Sequence, residues 1–139
     1  MAPCSRRALR TILITAGLLM AAALLLLRFG PGSGGGPSHQ AISPSEALEY
    51  LSGPQPVLLL DVRTQTEYGQ GHIEGAVLIP NTELSRRAPA ELPNKDALII
   101  LYCRSGNRSA TAARELADLG YTRVYDLGGI IDWPYDIVS

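Results

Sequence analysis

The chain has 139 residues, 46% of them hydrophobic, and a formal net charge of −1. That balance hides two regions, because Arg6, Arg7, Arg10 and Arg28 carry all the charge before residue 31, and eight basic residues face thirteen acidic ones behind it. The acidic part, about 100 residues, is near the commonest size for one core, and without a basic stripe it excludes nucleic acid as the expected partner.

From Thr11 to Leu27 seventeen residues run without a charge, dominated by leucine and alanine. Such a run is an export signal or a membrane anchor, being short for a spanning helix and long for the apolar core of a signal peptide. Leu24 to Leu27 lead into Arg28-Phe29-Gly30-Pro31 with no small-x-small cleavage site. The expectation is therefore an uncleaved anchor over residues 1–29, with a cleaved export signal and an exported soluble protein as the alternative. Cys4 precedes the run and is not placed like a lipoprotein cysteine, and no polar face marks the run as a core helix. Arginines before the run predict the amino end inside and the domain outside the cytoplasm, on the periplasmic or cell-surface side. Residues 30–38, Gly-Pro-Gly-Ser-Gly-Gly-Gly-Pro-Ser, read as a flexible tether. The domain should then occupy 39–139.

Ser43-Pro44-Ser45-Glu46 offers a capping serine, a proline at the first helical position and a glutamate three residues after the cap, which predicts a helix to about Leu51. Val57 to Val62 is the first clear predicted strand, and Thr64-x-x-Glu67 repeats the capping pattern for a short helix. Ala76 to Ile79 reads as a second strand and Asn81 to about Arg87 as a helical turn. Ala97 to Tyr102, a long helix ending at Leu119, and Val124 to Leu127 complete the order. Strands alternating with helices predict an α/β fold, a central parallel sheet with helices on both faces. In such sheets ligands sit at the carboxyl ends of the strands.

Cys103 is placed there. Ala97 to Tyr102 is apolar without a turn former, as a strand covered on both faces should be. The residues from Ser109 show helical spacing at Ala113, Leu116 and Ala117, with Gly120 as a stop. A cysteine between a strand end and a helix start meets unpaired N–H groups and the positive helix end, both of which favour the thiolate. Arg104 and Arg108 add two positive charges, and Gly106 permits an unusual turn. A buried inert cysteine, the commoner fate of a free one, would need none of these. Cys103 is the only cysteine behind the tether, so no disulfide forms within the domain.

The segment Cys103-Arg104-Ser105-Gly106-Asn107-Arg108-Ser109 resembles the active-site loop of the rhodanese-like sulfurtransferases, and the likeness extends along the domain. Leu60-Asp61-Val62-Arg63 is similar to the family's strand-then-Asp-Val-Arg signature. Gly71-His72-Ile73-Glu74-Gly75-Ala76-Val77-Leu78-Ile79-Pro80 is similar to its Gly-His-Ile-x-Gly-Ala-x-x-Ile-Pro segment, and Leu127-Gly128-Gly129-Ile130 with Trp133 to its closing pattern. The resemblance implies the rhodanese-like three-layer fold and a thiosulfate sulfurtransferase activity. A sulfane sulfur would pass from thiosulfate or a persulfide to a thiol or cyanide through a persulfide on Cys103. It implies Cys103 as the catalytic residue and Arg104, Ser105, Gly106, Asn107 and Arg108 as the cradle for donor and persulfide, with Asp61, Arg63 and Ser109 as structural support. Arg104 is assigned to the sulfonate of thiosulfate. Two roles stay open for Arg108, holding that sulfonate or bracing the loop, and Ser109 is a candidate cap for the helix.

The related phosphatases place five residues between cysteine and arginine, whereas Cys103 and Arg108 enclose four, which favours sulfur transfer over phosphate hydrolysis. His72 falls in a structural segment of the family and reads as hydrogen-bonded framework. Trp133 reads as a core or rim aromatic, and the closing element after it stays open. Rhodanese-like domains also act as non-catalytic binding or regulatory modules, or as persulfide carriers for a partner protein. The modules usually lack the cysteine present here. A thioredoxin-like or other thiol acceptor fits the chemistry. No cofactor motif and no metal-ligand cluster is expected.

Overall fold

The computed structural model describes residues 39–139. The expected anchor (1–29) and tether (30–38) lie outside the described residues. Among the described residues no helix is long and apolar enough to cross a membrane.

In chain order the elements are β1 (His39–Ala41), α1 (Pro44–Ser52), β2 (Val57–Asp61), α2 (Gln65–Gln70), β3 (Val77–Leu78), α3 (Leu84–Glu91), β4 (Leu98–Cys103), α4 (Asn107–Asp118) and β5 (Arg123–Gly129), followed by a 3-10 turn at Ile130–Asp132. The five strands form one sheet in the order β1-β5-β4-β2-β3, and every pairing is parallel. Helices cover both faces, so the sheet reads as the α/β arrangement that the strand and helix alternation predicts. β4 lies at the centre, between β2 and β5. All six of its residues are buried, because Ile99, Leu101 and Cys103 enter the core under α3 and α4 while Leu98, Ile100 and Tyr102 enter the core shared with Ala47 of α1 and Trp133. A strand buried on both faces has no polar side to show, which is why its sequence is a continuous apolar run.

Both capping boxes form. Glu46 N–H donates to Ser43 Oγ at 3.3 Å while Ser43 N–H donates to Glu46 Oε2 at 2.8 Å, and Thr64 and Glu67 exchange the same bonds at 3.2 and 2.9 Å. Three elements differ from the sequence reading. β1 has only three residues, too few for a hydrophobic period, and is held by its pairing with β5. α3 runs to Glu91, past Arg87 and through Pro89, although the residue before a proline disfavours helix. The buried Tyr121 hydroxyl holds that end, lying 2.9 Å from the carbonyl oxygen of Ala88 and 2.7 Å from that of Leu92. β5 continues through Gly128 and Gly129 by way of a bulge, since Leu101 pairs with Asp126 but Tyr102 with Gly128. Leu127 is the extra residue. The bulge sets Gly129 opposite Cys103.

The chain closes on the 3-10 turn and a short tail, in which Val138 and His72 exchange two backbone hydrogen bonds of 2.8 Å. Trp133 is buried in the α1-side core and meets the Tyr135 ring edge-on at 4.9 Å.

Candidate active site

Cys103 ends the central strand and is 1% exposed. The chain then turns through Arg104 and Ser105 to Gly106, whose φ of 99° starts α4 from the left-handed region. Such a φ suits glycine and strains a side chain. The turn aims backbone donors back at the sulfur: Gly106 N–H lies 3.1 Å from Cys103 Sγ. Burial pushes the Cys103 thiol up, and the N–H groups of Ser109, Gly106 and Ser105 outweigh it, leaving a net lowered pKa. The decisive donors are thus backbone groups in the loop and the first turn of α4, which have no carbonyl partner within the helix.

The other cradle residues divide by what they touch. Arg104, Ser105 and Asn107 are exposed at the rim, and Arg104 has no carboxylate partner among the described residues. Arg108 pairs with Glu67, with Nη1 2.9 Å from Oε2 and Nη2 2.6 Å from Oε1. Of its two open roles, the structure displays the bracing contact. The cap of α4 falls at Gly106 and not at Ser109, which lies in the first turn. There its buried hydroxyl sits 2.9 Å from the carbonyl oxygen of Gly106 and 3.2 Å from that of Gly128, tying the helix start to β5.

Asp61 and Arg63 stand beside the loop rather than in it. Both are buried. Arg63 Nε lies 2.9 Å from each Asp61 oxygen, and Nη2 bridges Asp61 Oδ2 at 2.6 Å and the Gly71 carbonyl at 2.7 Å. A fork of this kind fixes the segment between β2 and Gly71. His72 stacks on Tyr68 at 3.8 Å and places Nδ1 3.1 Å from the Tyr68 carbonyl, a framework position. Among the described residues, no three His, Cys, Asp or Glu side chains gather as a metal site requires.

Two participants escaped the sequence reading. Glu67 is explained locally by its capping box, so nothing nearby in sequence signals a partner 41 residues away. Gly129 did leave a signal, since a glycine inside a strand marks a close backbone approach. A β-carbon there would lie 2.6 Å from the Arg104 oxygen and 2.7 Å from Ser105 Cα. The loop rests on that glycine.

Residues 43–134 match the Rhodanese-like domain family. The chain belongs to this family. Among rhodanese relatives, a protein named sulfurtransferase from Allochromatium vinosum is 44% identical over 91 residues, 64% of this chain and 83% of that one. The thiosulfate sulfurtransferase PspE of Escherichia coli is 37% identical over 73 residues, 52% of this chain and 70% of that protein. The solved structure of a rhodanese with anions from E. coli superposes with a TM-score of 0.57 at 33% identity, over 60% of this chain and 99% of that one. Rhodanese membership and these relatives support sulfur transfer as the general chemistry and a transferase as the enzyme class.

The donor geometry makes a prediction of its own. Iodoacetamide labelling of Cys103, followed against pH, should show a midpoint below the ~8.5 of a free thiol. A midpoint at or above that value would mean that burial prevails over the N–H field.

Proposed function

We propose that this rhodanese is a thiosulfate sulfurtransferase working by a two-step exchange on Cys103. The Cys103 thiolate attacks the outer sulfur of thiosulfate, a new S–S bond forms, and sulfite leaves with the electron pair of the old one. A thiol or cyanide then attacks the outer sulfur of the persulfide and releases the thiolate. The observation that carries this reading is the Gly106 N–H aimed at the buried Cys103 sulfur from 3.1 Å, in a loop whose Ser105 and Ser109 N–H groups also favour the thiolate. Those donors face negative charge both on the thiolate and on the persulfide, as an oxyanion hole does for oxygen. Arg104, exposed at the rim, takes the sulfonate.

Assay of the full chain with thiosulfate and with organic persulfides, against cyanide, small dithiols and a thioredoxin-like thiol, tests donor and acceptor together. Transfer from thiosulfate supports the proposal, and transfer confined to persulfides overturns the donor. Arg104→Ala should raise KM for thiosulfate about tenfold with little change in kcat, the ~1.4 kcal/mol of one charge-assisted hydrogen bond. An equal loss with a neutral persulfide donor would contradict the assignment of Arg104.

The proposal extends to location. Residues 1–29 would hold the rhodanese domain on the outer side of a membrane, on the strength of the uncharged run and the arginines before it. Membrane fractionation with mass spectrometry of the mature protein should recover the original amino terminus in the membrane. A soluble mature protein beginning near residue 30 would replace the anchor with a cleaved signal.

A further inference from the structure

Three arginines surround the Cys103 loop, and the structure treats them unequally. Arg63 is matched by buried Asp61 and Arg108 by Glu67. Arg104 has no carboxylate partner among the described residues. The Glu67 carboxylate is built for its task, because the Thr64 N–H and hydroxyl each reach Oε2 at 2.9 Å and the Arg108 fork meets both oxygens. With Arg108 as the largest influence, Glu67 is held down at about 2 and stays ionised throughout the working range. Seen from the sulfur, a guanidinium locked to a carboxylate is a dipole rather than a charge, and its field falls off faster than that of a lone cation.

We infer that Glu67 is a specificity-determining residue of the sulfur-transfer site: by cancelling the charge of Arg108 it leaves Arg104 as the one cation offered to an anionic donor. The inference rests on the reading of Cys103 as a nucleophile toward such donors. Its consequence concerns turnover. A site with two free guanidinium groups would hold the sulfite product as firmly as the thiosulfate donor, and uniform binding of that kind lowers KM without raising kcat. One free cation captures the donor and still lets the product go.

The test is a charge cycle on the full chain with Glu67→Gln, Arg108→Gln and the double variant. Glutamine at 67 keeps an oxygen for the Thr64 cap, and glutamine at 108 leaves α4 intact, so each folds. The first probe is Cys103 alkylation by anionic iodoacetate relative to neutral iodoacetamide, a ratio that depends on local charge and on no sulfur donor. Relative to the wild type, this ratio should rise about three- to tenfold in Glu67→Gln and fall by a similar factor in Arg108→Gln. It should return to within about twofold in the double variant, where a net-neutral pair has become two neutral groups. KM for thiosulfate should move in the opposite sense, falling in Glu67→Gln, rising in Arg108→Gln and recovering in the double variant. Unchanged alkylation ratios in the single variants would leave Glu67 a brace and overturn the inference. A double variant as impaired as Arg108→Gln would show that Arg108 binds the donor directly, and would overturn it equally. A wild type inert toward thiosulfate would overturn the donor reading alone, because the alkylation ratios still decide the charge cycle.

Discussion

Replacing Cys103 by serine abolishes sulfur transfer, by about 1,000-fold or more in kcat/KM, and leaves the domain folded. The two halves of this expectation have separate physical grounds. Serine has nearly the size of cysteine, and its hydroxyl oxygen can accept the Gly106 N–H that now meets the sulfur at 3.1 Å, so the change in stability stays near ~1 kcal/mol. Chemistry is lost because an alcohol is not ionised at neutral pH and cannot carry a sulfane sulfur between two nucleophiles. Arginines and N–H donors remain in place in the variant, so donor binding survives as a measurable control. Assay of thiosulfate turnover beside circular dichroism and thermal melting separates the two. Turnover above about one hundredth of the wild type would remove Cys103 from the mechanism, and an unfolded variant would assign the sulfur a packing role instead.

Much of the site was readable in sequence because its parts are contiguous: β4, the turn and α4 follow one another from Leu98 to Asp118. Each signals itself by a local rule, the strand by an apolar run without alternation, the turn by Gly106, and α4 by the helical spacing of Ala113, Leu116 and Ala117. What escaped the sequence has a non-local cause. β1 exists only through its partner strand. α3 passes Pro89 with its end tied down by Tyr121, which follows α4 in the chain. Glu67 meets Arg108 across 41 residues, and its capping role already accounted for it. The sequence names N–H groups, the helix end, Arg104 and Arg108 together as favouring the thiolate; which of them outweigh burial, the N–H donors, depends on an aim set by Gly106 and by the bulge in β5. Charges are visible in a sequence; the direction of a peptide dipole is set only when the chain turns.

That dependence on backbone placement gives the second large effect, at a residue that touches no substrate. Gly129 has φ of −105° and ψ of 137°, an extended conformation that alanine adopts freely, so Gly129→Ala carries no conformational strain of its own. Its cost is contact. The added methyl would lie 2.6 Å from the Arg104 oxygen and 2.7 Å from Ser105 Cα, and both are backbone atoms that cannot rotate aside. Either the Arg104–Ser105 turn or the end of β5 must give way. The turn yields more easily, because the end of β5 is held by the ladder to β4. Displacing the turn swings the Ser105 and Gly106 N–H groups off the sulfur. Overpacking of this kind costs about 1–3 kcal/mol of stability, and a misplacement near one ångström costs about 100-fold in rate. Gly129→Ala should therefore lose about 10- to 100-fold in kcat/KM while remaining folded at room temperature. Its Cys103 labelling midpoint should rise toward that of a free thiol. Wild-type turnover and an unshifted midpoint in Gly129→Ala would show that the loop has slack, and that the N–H donors do not depend on their seat against β5.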